Sequence, residues 1–269
     1  MLIPSRPLTL VASGLCVLLV SACGSSSSVI PPETSLDREP PQLLNAFFGL
    51  DNALTRQTRL ICRSAPGSDG MPLTFSRRVT SMEPGDFLVT TESGVRKTPA
   101  CATLRPADEA SEGHTVLLIG DLGSAEDPPH RVEVVGDVML EGDASGRGLE
   151  IEVTPLEDGP TLVLAIAYAA GAIESDCPAA TQQVIQVTWA GGVRPDSGVT
   201  EEAHRTMYRV MSSDGEMSPF ALGDLGDNDN YEHLCLDTSA RASEVTARAG
   251  VLLDPRNDLN PLTSIPVRR

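Results

Sequence analysis

Apolar and polar positions alternate along this chain at two places about 115 residues apart. In the first, Met71, Leu73 and Phe75 fall on one side of an extended segment. Phe87, Val89 and Thr91 fall on one side of the next, ahead of a Ser93-Gly94 turn. A period of two with turn residues behind it predicts a strand, a loop and a second strand. In the second place, Ile185, Val187 and Trp189 take the first set of positions, and Tyr208 and Val210 take the second, ahead of Asp214-Gly215. The chain holds one Trp, three Tyr and five Phe, and four of these aromatics stand at two equivalent positions. An internal repeat explains that placement.

The alignment extends in both directions. A segment opening with Pro41 and running through residues 42–54 has an apolar run without a clear period, which suits a short helix or a strand. Its counterpart opens with Pro160 and continues through apolar residues to Tyr168, and the comparison favours strand. Each opening segment is followed by a cysteine, Cys62 or Cys177. Downstream, Pro99 answers to Pro219, and His114-Thr115-Val116-Leu117 answers to His233-Leu234-Cys235-Leu236. Val132, Val134, Val138 and Leu140 answer to Val245, Ala247, Val251 and Leu253. Helical alternatives remain at residues 200–210, where Thr200 is placed to cap Glu201-Glu202, and at residues 239–249.

Short strands with turn signals every 8 to 15 residues, in a chain with 23 Gly and 21 Pro, predict an all-β fold of antiparallel sandwiches. At 269 residues the chain is long enough for two ordinary cores, and the repeat divides it at residues 41–157 and 158–269. The segments LTFSRRV (73–79), DFLVTTESG (86–94), TVLLI (115–119) and VEVVGDVML (132–140) together resemble the bacterial Ig-like domains of surface-layer and envelope proteins. The second half departs from that pattern, with Trp189-Ala190 in place of Phe75-Ser76 and a closing stretch at 254–260 without the usual Gly-Asn. The resemblance implies two tandem Ig-like β-sandwiches.

The N-terminus carries a different signal. Arg6 precedes an apolar run at 8–22 that is shorter than the roughly 20 residues a membrane-spanning helix needs, as in a signal peptide. Val20-Ser21-Ala22-Cys23 resembles the lipobox of bacterial lipoproteins, in which the cysteine becomes the lipidated first residue. Residues 1–22 are then the signal peptide, Cys23 the lipidation site, and residues 23–40, rich in Ser and Pro, a tether. The resemblance implies a membrane partner through the lipid anchor and a place in the bacterial cell envelope, at the outer membrane. Four further cysteines, Cys62, Cys101, Cys177 and Cys235, fall two to each half. In an oxidising compartment this predicts two disulfides, Cys62 with Cys101 and Cys177 with Cys235.

A formal charge of −17 argues against nucleic acid as a partner, since that binding draws on Lys and Arg. No GxSxG, HExxH, CxxC or Gly-rich phosphate loop occurs. The four histidines are scattered, and Trp189 belongs to a core stripe. One cluster concentrates hard oxygen ligands: Asp224, Asp227, Asp229, Asn230 and Glu232 surround Gly226, the donor chemistry calcium requires, without the spacing of an EF-hand. The alternative is an acidic surface turn. The expected function is that of a non-catalytic envelope lipoprotein that binds or supports an envelope protein or glycan. The competing expectation is a periplasmic or surface enzyme, acting on polysaccharide through acidic residues of the second half.

Overall fold

Strands form wherever the two-residue period is strongest, and the faces fall as the alternation predicts. The computed structural model describes residues 39–226 and 229–269. The expectations for the signal peptide, Cys23 and most of the tether, and for Asp227, lie outside those residues. In the first half the strands are β1 (Leu43–Ala46), β2 (Asp69–Phe75), β3 (Val79–Ser81), β4 (Phe87–Thr91), β5 (Arg96–Lys97) and β6 (Cys101–Thr103). They continue with β7 (Thr115–Gly120), β8 (Pro129–Val134), β9 (Met139–Leu140), β10 (Ala144–Ser145) and β11 (Glu150–Glu152). The second half supplies β12 (Leu162–Ala169), β13 (Gln183–Trp189), β14 (Arg194–Pro195), the helix α1 (Glu201–Met207), β15 (Tyr208–Ser212), β16 (Gly215–Met217) and β17 (Ala221–Gly223). It closes with β18 (Tyr231–Leu236), β19 (Ala242–Ala247), β20 (Leu252–Leu253) and β21 (Thr263–Pro266).

The protein is all-β and sandwich-like, with the repeat written into its topology. One sheet of the first half has the order β1-β2-β7-β6, and its counterpart has the order β12-β13-β18-β17. The facing sheets run β11-β8-β4-β5 and β21-β19-β15-β16, and all of these strand pairs are antiparallel. Among the described residues every strand pairing stays within its own half. Met71, Leu73 and Phe75 from one sheet pack with Phe87, Val89, Val132 and Val134 from the other in a first core. Ile185, Val187, Trp189, Tyr208, Val210, Val245 and Ala247 do the same in a second.

Register corrects one feature of the alignment. Leu73 pairs with Val116, and its counterpart Val187 pairs with Glu232. His114 is therefore equivalent to Asn230, and His233 to Leu117. The backbone agrees, because Phe75 N–H donates to the carbonyl of His114 and Trp189 N–H to that of Asn230, both at 2.8 Å. Two histidines three places out of step share a residue type and nothing more.

Residues 200–210 contain both expected elements in succession. Thr200 caps α1 by accepting the Ala203 N–H at 3.1 Å, Glu201 and Glu202 lie in the first turn where the helix dipole favours them, and β15 begins at Tyr208. Residues 242–247 are strand, which removes the helical alternative there. No helix among the described residues is long and apolar enough to cross a membrane.

Cys177 and Cys235 form a disulfide across 58 residues. The second expected bridge is not formed: Cys62 and Cys101 are free thiols. Both belong to a small cluster around Ile119 and Ala65, and Cys62 Sγ lies 3.3 Å from Ser64 Oγ. Burial, then the hydrogen bond to Cys62, pushes the Cys101 thiol up to about 12. At Cys62 burial opposes the thiolate, but hydrogen bonds from Cys101 and Ser64 outweigh it and lower the pKa.

Candidate functional site

In a lone sandwich, alternate residues of a central strand face water. In β13 and β18 every residue is buried. The outward positions Gln186 and Tyr231 are covered by the first half, and His233 by Ser175 and Asp224 of its own half.

The seam is built from side-chain hydrogen bonds. Asn230 Nδ2 donates to Thr115 Oγ1 at 3.1 Å and to the Trp189 carbonyl at 2.7 Å. Thr115 Oγ1 lies 3.0 Å from the Tyr231 hydroxyl, which in turn donates to the carbonyl of Glu112. Since Tyr231 spends its only proton on Glu112, Thr115 donates to Tyr231, and the chain Asn230 to Thr115 to Tyr231 to Glu112 runs in one direction. Such relays polarise one another and are strongest when every member is satisfied. Gln186 Nε2 donates to Ser111 Oγ at 3.1 Å and Asn45 Nδ2 to the Ala190 carbonyl at 3.0 Å, so both ends of the seam are tied. Residues 39–269 accordingly belong to one compact unit.

A second network lies inside the core of the second half. Trp189 Nε1 donates to the Tyr208 hydroxyl at 3.1 Å, and Tyr208 donates to Glu232 Oε2. His204 Nε2, on α1, sits 2.9 Å from Glu232 Oε1. Burial, then the charge of Glu232, raises the Tyr208 pKa, so the phenol stays a donor. The equivalent residues of the first half are Phe75, Phe87 and Val116, all apolar and all buried. Three core positions have thus become a linked Trp-Tyr-Glu set in one half only. A cavity of about 260 Å³ opens beside it, lined by Arg194, His204, Asp224, Asp229, Tyr231 and Glu232 among others.

Among the described residues of the acidic stretch at 224–232, the side chains meet different partners. Glu232 faces inward to Tyr208 and His204. Asp229 Oδ1 accepts the Tyr231 N–H at 2.8 Å, and the Asn230 amide belongs to the seam. Asp224 Oδ2 stands 3.6 Å from His233 Nε2. One carboxylate oxygen each from Glu109, Glu112 and Asp224 lies within 4.8 Å of the others. Glu112 is 1% exposed. Burial, then the hydrogen bond to Glu109 and the charges of Asp229 and Asp224, pushes its carboxyl up to about 10. Nothing in the sequence around residues 105–114 marks Glu109 and Glu112 as a counterpart to Asp224, because the pairing exists only once the seam has formed.

No known protein-family model matches this chain, and no curated protein matches it.

Proposed function

We propose that this protein is a non-catalytic lipoprotein of the bacterial cell envelope, in which two Ig-like sandwiches are held beyond a lipid-anchored tether to bind or space an envelope protein or glycan. The observation that carries this reading is the seam. A buried relay of directional hydrogen bonds makes the two halves a single stiff body, the mechanical property a spacer or docking module needs. The polar groups most suggestive of chemistry also serve the fold: Glu232 accepts a hydrogen bond from the Tyr208 hydroxyl and pairs with His204, and Asp254 accepts the N–H groups of Arg256 and Asp258 to close a turn. Anchoring rests on Val20-Ser21-Ala22-Cys23 and the serines behind it. Two or more acyl chains hold a protein stably on a membrane where one does not. The test is expression of the full chain and its Cys23→Ser variant with a fatty-acid analogue. The wild type is expected to take label and sediment with membranes, and the variant to do neither. Label retained by the variant overturns the anchor.

A polysaccharide-active enzyme is the second reading, favoured by the cavity beside Glu232 and its neighbouring carboxylates Asp224 and Asp229. Release of reducing sugar from envelope glycans by the full chain, abolished in Glu232→Gln, would establish it in place of the first.

A further inference from the structure

We propose that Glu109, Glu112 and Asp224 hold a calcium ion across the seam between the two halves. The three oxygens lie within 4.8 Å of one another. Oxygens at about 2.4 Å from a common ion are no further apart than twice that distance, and this is the length calcium takes to carboxylates. The donor set is all hard anionic oxygen, with no thiolate.

A separate observation points to a ligand. Glu112 is 1% exposed, yet its Oε1 finds no hydrogen-bond partner among the described residues. Its other oxygen accepts the Glu109 N–H, at 3.3 Å. A buried carboxylate oxygen without a donor is costly, and neighbouring acids add to that cost. A cation between the three satisfies all of them at once. The surroundings suit entry and retention. Glu109 is exposed and forms the open side, Asp224 is half-buried and backed by His233, and Glu112 forms the floor, its own carbonyl held by Tyr231. Two donors come from the first half and one from the second, so the ion would pin the halves together where the relay ends. This inference holds whether the protein is a docking module or an enzyme.

Terbium is the probe, since Tyr231 stands close enough to sensitise its emission. The full chain in detergent, titrated with terbium, is expected to show sensitised emission that calcium displaces with a midpoint in the range of about 0.1 to 1 mM. Glu109→Gln, which changes an exposed residue and leaves the fold intact, is expected to weaken calcium about tenfold, as loss of one of three charged ligands should. Asp229→Asn, outside the donor set, removes a charge that acts on Glu112 and is expected to weaken calcium less than Glu109→Gln does. Absence of calcium-displaceable emission overturns the proposal. So does a Glu109→Gln variant of unchanged affinity, which would place any ion in the 224–232 loop alone.

Discussion

Single residues explain the motifs that mark the first half. In Asp86-Phe87, the Asp86 carboxylate accepts the N–H groups of Glu83 at 2.7 Å and Asp137 at 2.9 Å, tying the start of β4 to the turn after β8. Gly136 belongs to that turn because a Cβ there would meet Asp86 Oδ1 at 1.8 Å. In Phe75-Ser76, the Ser76 hydroxyl accepts the Gln42 N–H at 2.9 Å, a bond Ala190 has no means to make. His114 shows what burial does to a titrating group. It is 3% exposed, with Nδ1 3.1 Å from the Phe75 carbonyl. Burial lowers its pKa from 6.5 to about 4, partly opposed by the bond to Phe75, with Arg78, Glu141 and Arg268 as the charges around it. Between those values the unfolded chain binds a proton that the folded one refuses. The stability His114 contributes is therefore present above pH 6.5 and lost as pH falls toward about 4. The loss is on the order of 3 kcal/mol. Urea unfolding from pH 7 to 4 is expected to show this slope in the wild type and a flatter one in His114→Asn. Glu112, whose raised pKa works in the opposite sense, cancels in that comparison. Equal slopes would remove His114 as the cause.

At the scale of elements, the strands were legible and their surroundings were not. Met71, Leu73, Phe75, Phe87 and Val89 and their counterparts alternate, and all are buried as alternation requires. Gln186 and His233 stand on the outward face of their sheet, and periodicity carries no information about what covers an outward face. Cysteine positions were legible to the same depth. The loop before β13 carries Cys177 to β18, and the loop before β2 carries Cys62 toward β6, one strand further out. Only the first of these contacts is a bond. In the chain-entropy account, closing 58 residues stabilises by about 4 kcal/mol. The double variant Cys177→Ser with Cys235→Ser is expected to lose about that much in urea unfolding, while Cys101→Ser loses about 1 kcal/mol. Comparable losses in both would mean that the bridge adds little beyond packing.

The whole molecule depends on polar contacts that a sequence displays as ordinary surface. Asn45, Ser111, Thr115, Gln186 and Asn230 look solvated in any window of the chain, and each is buried at the seam. Their partners lie up to 145 residues away, so no local pattern pairs them. Because the relay has no slack, the halves should melt together. Calorimetry of the wild type is expected to give one transition. Asn230→Ala with Tyr231→Phe leaves the Glu112 carbonyl and Thr115 short of partners, each at a cost of about 1 to 3 kcal/mol, and is expected to resolve two. Two transitions already in the wild type would show that the seam does not couple the halves.

Tandem copies of one topology carry a hazard during folding, since a strand of the second copy can dock into the frame of the first in place of its own partner. The Trp189-Tyr208-Glu232 set works against that error. Were β18 to zip against β2 in place of β13, Glu232 would be carried into a sheet whose core offers Phe75 and Phe87 and no hydroxyl or indole N–H to receive it. A stranded carboxylate makes the exchanged pairing unstable, while β7, with Val116 at that place, is accepted. The polar core of the second half would thus disfavour exchange of strands between two copies with the same strand order.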